Sequence, residues 1–441
     1  RHNHTEFTLL AYMLRLRIAL LFLMVGSFNI QAQFYNGTQM SFGKNRVQYQ
    51  AFEWQFFQFK KFDTFFYKGG RELAEYTGRT ADAEIGEIEK LFDYQTDDRL
   101  QFIIFNKLSD LKQTNLGLEA ETQLNNTGGI TRIFGNKILI YFDGNHAHFR
   151  QQIRAGIARV LFEQLMYGGS VKDRLQSSIL LNIPDWYISG LSMWVAKGWT
   201  TDDENRMRDG ILSGKYKKLN SLATTDAAFA GQSMWNFVDK VYGSASIANM
   251  LYMTRLNRNI ESGFNFVIGA TLKQTTNAWR IFYEKRYLNN DNGKQTTTGK
   301  PLTIKSKNGV FINQVKLSPD GKKISYVTNE MGKYKVYLYD IKTKKRKRIA
   351  KGGYRSLVQE TDVSFPVVAW HPTGKSVTYI KEWKGNLWLS NYQLKGRKTD
   401  NSKLLYFEKV NDFSYADDGQ SLVMSATQKG QSDIFIWNIR A

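Results

Sequence analysis

"VKLSPDGKKISYVT", Val315 to Thr328, decides how the last third of this chain folds. Val315 and Leu317 alternate with polar neighbours. Ser318 to Gly321 is a polar tetrad that ends on glycine, and Ile324 and Tyr326 resume the alternation. Period-two alternation on both sides of such a tetrad is the pattern of two strands joined by a tight turn. The pattern returns as "VAWHPTGKSVTYIK" and "FSYADDGQSLVMSA", whose tetrads begin at His371 and Ala416, so the repeats are 53 and 45 residues apart. Each pair is followed by a short turn and a third strand: "YKVYLYD", "GNLWLSN" or "SDIFIWN".

Short antiparallel strands at this period are the signature of propeller blades. The recurring x-[PD]-[DT]-G turn resembles that of the TolB-like, or WD40-like, propellers, and the likeness runs from about Val310 to Arg440. It implies a sequence of about three blades over residues 310–441. Rings of this kind close with roughly four to eight blades. Further blades in a longer parent chain are therefore expected, with closure by a partner chain as the alternative.

Upstream of the blades, "LNNDNGKQTTTGKPLTIKSKNG" (Leu288 to Gly309) clusters Asn, Gly, Thr and Lys without periodicity and reads as a linker over 288–309. Before it, residues 34–287 alternate strand and helix patterns. Strands are expected in "AFEWQFFQFKKFDTFFYKGG", "LQFIIFN" and "KILIYFDG"; a helix is expected in "GGRELAEYTGRTADAEIGEIEKLFDY". Mostly helical patterning follows from Phe149 to Tyr287. Within it, Ile153, Ile157, Val160, Leu161 and Leu165 form one apolar stripe.

Residues Phe62 to Tyr287 resemble the peptidase-MA-like, gluzincin-type zinc peptidases. The frame is carried by "KILIYFDG" leading into the helix of "QIRAGIARVLFEQLMYGG", then by Pro184, Trp186 and Gly190 of "IPDWYISGLSMWV". "GQSMWNFVDKVYGSASIANML" and "ATLKQTTNAWRIFYEKRY" match the later helices. Zinc chemistry in such a frame needs two imidazoles one helical turn apart, a carboxylate base between them and a third ligand from the next helix. By this resemblance Ala155 and Arg159 stand at the histidine positions, Gly156 at the base and Ser189 at the third ligand. The expectation is an inactivated, pseudo-peptidase domain with no catalytic residues, no metal and no cofactor. Arg159 would place a fixed positive charge where the dication would sit, with Glu163 one turn on as its ion-pair partner.

Other chemistry is sparse. His146 and His148, with Asp143 nearby, would share a face in a strand and could take a metal; ordinary loop histidines are the plainer reading. "NNTGGITRIFGN" is too loose for a phosphate cradle, and there is no G-x-S-x-G, no Walker loop and no cysteine.

From Met13, "MLRLRIALLFLMVGSFNIQAQ" has Arg15 and Arg17 ahead of the apolar run Ile18 to Val25, with Ala32 as the residue before a cut. This reads as a secretory signal within residues 1–33, with an uncleaved anchor as the alternative. Export without any cysteine fits a bacterial envelope, so the expected location is the periplasm or the periplasmic face of the outer membrane of a Gram-negative cell. The first 33 residues hold three Arg and one Glu, so the remainder keeps +19 of the net +21.

Nucleic acid is then an unexpected partner, and anionic envelope material or an acidic partner fits better. "DIKTKKRKRIAKGGYR" holds eight basic residues and is expected to span the turn between a third and a fourth strand. Lys344, Lys345, Arg346, Lys347 and Arg348 are its candidate polyanion contacts. The fold class expected is multidomain α+β, a gluzincin-like α/β domain followed by part of an antiparallel β-propeller. The function expected is a non-catalytic, TolB-like scaffold in envelope transport or assembly, with an envelope protein as partner. The alternatives are a module binding lipopolysaccharide or peptidoglycan, and a hydrolase with a displaced active site.

Overall fold

The computed structural model describes residues 46–96, 98–115, 132–168, 182–288, 299, 302, 304, 306–307, 309–356 and 361–439. The signal segment and most of the linker lie outside the described residues. Among those described, no helix is long and apolar enough to cross a membrane.

The first region is a five-stranded sheet with its long helices on one face and a short helix on the other. Strands β1 (Gln55–Gln58), β2 (Phe62–Phe66), β3 (Leu100–Phe105), β4 (Arg132–Phe134) and β5 (Lys137–Tyr141) lie in the order β1-β2-β3-β5-β4. The three central strands are parallel and the outer two run antiparallel to their neighbours. Helix α1 (Arg71–Phe92) makes the crossover from β2 to β3, as a parallel pair requires. Short α2 (Leu108–Leu111) follows β3. Helix α3 (His146–Tyr167) follows β5, and its stripe of Ile153, Ile157, Val160, Leu161 and Leu165 is buried in the main core.

Alternation along β3 and β5 sorts the side chains. Phe102, Ile104, Ile138 and Ile140 meet the helices, whereas Phe105, Leu139 and Tyr141 join a smaller cluster with Tyr67 and Leu111 on the other face. Gln152 fixes α3 against its feeding strand: its amide accepts from the Tyr141 N–H (3.1 Å) and donates to the Tyr141 carbonyl (2.9 Å).

Helices α4 (Asp185–Lys197), α5 (Thr201–Leu212), α6 (Leu219–Thr225), α7 (Ala227–Tyr242), α8 (Ala245–Asn257), α9 (Ile260–Gly263) and α10 (Leu272–Leu288) complete the region. Helix α4 crosses α7 in close backbone contact. A Cβ on Gly190 would run into the Gly231 backbone, and one on Gly231 would overlap the Trp186 carbonyl oxygen. Both positions are therefore closed to any side chain, which gives Gly190 a packing reason of its own.

The second region is three stacked antiparallel sheets. The first is β6 (Phe311–Leu317), β7 (Lys323–Glu330), β8 (Lys333–Asp340) and β9 (Arg346–Gly352). The second is β10 (Val367–Trp370), β11 (Ser376–Trp383), β12 (Asn386–Gln393) and β13 (Thr399–Leu404). The third is β14 (Lys409–Tyr415), β15 (Ser421–Gln428) and β16 (Gln431–Asn438). In each, sequence order equals spatial order, which is the meander of a propeller blade.

The tetrads are the first turns of the three blades. Gly321, Gly374 and Gly419 sit at φ of +69°, +67° and +66°, and each donates its N–H to the first residue of its tetrad at 2.8–2.9 Å. Left-handed backbone here explains why each tetrad ends on glycine. The second turns are also equivalent. Met331-Gly332, Lys384-Gly385 and Lys429-Gly430 all have positive φ at both residues, the two-residue hairpin geometry that matches strand twist.

Alternate residues then stack blade on blade. Val368, Trp370, Val377 and Tyr379 of the second meet Val327, Val336 and Leu338 of the first. Val367, Ala369 and Ile380 face the other way, onto Val410, Phe413, Leu422 and Met424 of the third. On the far face of the third sheet Val423, Ile434 and Ile436 are exposed.

Candidate functional site

Of the four residues that the resemblance to zinc peptidases singled out, Arg159 and Ser189 meet. Helices α3 and α4 pack on one another, and Arg159 of α3 points its guanidinium at Ser189 of α4, Nη1 to Oγ 3.4 Å. Arg159 Nε donates to Glu163 Oε1 at 2.8 Å, the one-turn ion pair expected from the spacing, and the guanidinium side chain is 25% exposed. Ser189 Oγ donates to Asp185 Oδ1 at 2.7 Å and is largely buried. Ala155 brings only a methyl group to this face, and Gly156 is buried with no side chain at all.

A divalent metal does not fit this set. The groups at this locus are a guanidinium, a hydroxyl and the Glu163 and Asp185 carboxylates, each carboxylate already bonded to one of the first two; the guanidinium is always cationic, and a cation would have to displace it. Among the described residues no group of three His, Asp or Glu is placed to hold a metal ion. The locus offers instead a charge-assisted hydrogen-bonding strip, Glu163–Arg159–Ser189–Asp185. Beside it the Tyr167 phenol is pushed up from its ordinary value by burial and by the Glu163 charge.

The two-histidine reading needs correcting. His146 and His148 lie in the first turn of α3, behind the Asn145 cap, and not in a strand or loop. At helical spacing two residues point to nearly opposite sides. His148 Nδ1 bonds Asp143 Oδ2 at 2.9 Å, while His146 packs on Tyr76 and Phe142 at 4.9 and 4.7 Å between ring centres, and partial burial lowers its pKa. The pair does not converge.

The basic run divides between a turn and a strand. Lys344 and Lys345 lie in the turn after β8, as expected, with Lys344 in the left-handed region. Arg346, Lys347 and Arg348 belong to β9, the outermost strand of the first sheet, and all five are exposed. Lys347 reaches the second blade, its ammonium donating to the Tyr392 hydroxyl at 2.7 Å. Charge on an unpaired outer strand blocks edge-to-edge association, which gives the run a structural use.

A third feature was not visible in the sequence. A cavity of about 390 Å³ lies where the two regions meet. Its walls come from residues 46–49, from the neighbourhood of α2, from the first blade around Tyr334 and Tyr354, and from the β11–β12 turn at Lys381 to Gly385. Lys107 pins this junction, donating to the Gly385 carbonyl at 2.8 Å and facing Glu382 at 3.6 Å. Behind it Asp110 is buried, accepting from the Tyr67 hydroxyl at 2.6 Å and from Gln113 at 3.2 Å. Desolvation pushes its carboxyl up to about 6, against the pull of Lys107. Ser432 adds a second tie, its hydroxyl donating to the Gly144 carbonyl at 2.7 Å. No local motif could reveal this cavity, because its walls come from residues 46–49, 109–113 and 329–385, far apart in the chain.

Comparison with known proteins gives a partial likeness. No family model and no curated protein matches the chain. Among solved structures, TolB from Acinetobacter baumannii is 22% identical over 29% of this chain and 30% of its own, with a TM-score of 0.25. The β-propeller domain of the Trilobed protease from Pyrococcus furiosus is 12% identical over 30% and 40%, TM-score 0.23. The putative TolB from Agrobacterium tumefaciens is 14% identical over 28% and 44%, TM-score 0.22. The chain thus spans less than half the length of each. The assignment of blades rests on the strand order and the repeated turns described above.

Proposed function

We propose that this chain is a non-catalytic binding protein of the bacterial envelope. In this reading the pseudo-peptidase region and the TolB-like blades together form a scaffold for a partner in transport or assembly. The observation that carries it is the contact of Arg159 with Ser189. The two helices that a gluzincin-type enzyme would use to hold zinc are packed together here, and a guanidinium fills the meeting point. The frame then serves as a shaped surface and not as a cutting one. Location in the periplasm or on the inner face of the outer membrane belongs to the same proposal, from the signal-like N-terminus and the absence of cysteine.

Cross-linked affinity capture from the native envelope, washed at moderate salt, tests it. The expected result is one recurring envelope protein at yield comparable to the bait. A second reading is favoured by the five exposed cations at 344–348: the first blade's outer edge binds lipopolysaccharide or peptidoglycan. Capture of salt-sensitive lipid or glycan alone would select this reading, since such contacts weaken within the Debye length as salt rises.

A further inference from the structure

The cavity between the two regions has a charge excess that its own walls do not cancel. Two carboxylates line it, and each is met by a lysine outside the lining: Asp362 by Lys409 at 2.9 Å and Glu382 by Lys107 at 3.6 Å. The lining cations include Arg46, Lys381 and Lys384. Among the described residues neither Lys381 nor Lys384 has a carboxylate within ion-pair distance. Burial lowers the pKa of the Lys381 ammonium, so this charge is held at a cost that a bound anion would remove.

Three buried polar atoms on the same walls lack hydrogen-bond partners: the donors Arg46 Nε and Ser109 Oγ, and the acceptor Glu382 Oε1, which faces Lys107 at 3.6 Å. A buried donor left unmet carries a desolvation cost that an acceptor on a ligand would recover. Apolar lining is supplied by Tyr334, Tyr354, Phe365 and Pro366. The volume of about 390 Å³ falls within the range of small-molecule sites, about 300–1,000 Å³.

We propose that this cavity binds a small organic polyanion, a molecule with two or more carboxylate or phosphate groups on a ring or other apolar body. Lys381, Lys384, Arg46 and Ser109 take its oxygens, and Tyr334, Tyr354 and Phe365 take its body. Because the walls belong to both regions, an occupant touches both and holds them in this arrangement. Binding therefore raises the stability of the junction by mass action. The proposal is independent of the scaffold reading: capture of a partner neither requires nor excludes it.

Isothermal titration of the whole chain at low salt tests it with four probes: benzene-1,3,5-tricarboxylate, citrate, inorganic phosphate and benzoate. The expected result is saturable one-to-one binding of the ring tricarboxylate at millimolar concentration or below, with weaker binding of the others. The pair Lys381→Ala and Lys384→Ala, both on the β11–β12 hairpin, is expected to weaken it about tenfold or more, the equivalent of ~1.4 kcal/mol. Arg46→Gln, a second variant outside the blades, is expected to weaken it as well. Lys344→Ala with Lys345→Ala on the rim is expected to leave it unchanged. No saturable binding of any probe, unchanged affinity in the cavity variants, or loss only in the rim variant would each overturn the proposal. Phosphate binding as tightly as the ring tricarboxylate would overturn the part played by the aromatic walls.

Discussion

The blades and the α4–α7 crossing both depend on glycine, and for opposite reasons. In the blades, Gly321 is needed for its left-handed φ of +69°, and a Cβ there would meet nothing within 4 Å. At the crossing, Gly231 lies mid-helix with ordinary backbone geometry, and it is space that forbids a side chain. The first requirement is local and is written into every repeat. The second is tertiary: Gly190 and Gly231 each face the backbone of the other helix. The comparison teaches that one region is held by many small, repeated preferences and the other by a few contacts that admit no substitute.

That contrast predicts graded effects. Gly231→Ala should separate α4 from α7 or force the Trp186 carbonyl aside, and should cost about 3 kcal/mol or more in urea unfolding. A loss below ~1 kcal/mol would mean that the crossing is looser than its geometry states.

At the junction the expected effect is intermediate and depends on pH. Asp110 has a folded value of about 6 against an ordinary 3.8, raised chiefly by desolvation. Tyr67, Gln50 and Gln113 bond it, Lys107 attracts it and Glu382 opposes its ionisation. A raised carboxyl favours the folded state below about pH 4, and this contribution is lost as pH rises through about 6. Asp110→Asn should flatten that fall, a difference on the order of 1–3 kcal/mol between acid and neutral pH. An unchanged slope across this window in thermal unfolding would place the titrating group elsewhere. Smallest of the three, Gly321→Ala should cost about 1 kcal/mol for its left-handed backbone, with the blade otherwise intact.

Legibility followed the same division. The turn tetrads, alternating strands and three-sheet meander could be read because each signal is local and recurs. The strands β2, β3 and β5 and the stripe of α3 were also plain, since burial imposes their periods. Edge strands were harder to read. The residues of β9 are basic and those of β13 polar, so neither shows the apolar alternation of a buried strand. His146 and His148 were misplaced because the Asn145 cap starts α3 before the apolar stripe does: the Asn145 side chain accepts from the Ala147 and His148 N–H groups at 2.8 and 3.4 Å. At the candidate site the meeting of Arg159 with Ser189 was inferred through a resemblance, not from spacing alone. The cavity and its lysines left no sequence signal, because its lining is shared between the first region and the blades.

The proposal central to this account is that Arg159, which meets Ser189 between α3 and α4, stands where a zinc peptidase of the resembled kind would hold its metal. It is tested most directly by metal analysis of the purified chain after incubation with excess zinc and removal of unbound ion, with thermal unfolding measured with and without chelator. The account predicts no stoichiometric zinc and the same unfolding midpoint in both. One zinc per chain, with a midpoint that falls on chelation and does so no longer in Ser189→Ala, would contradict it.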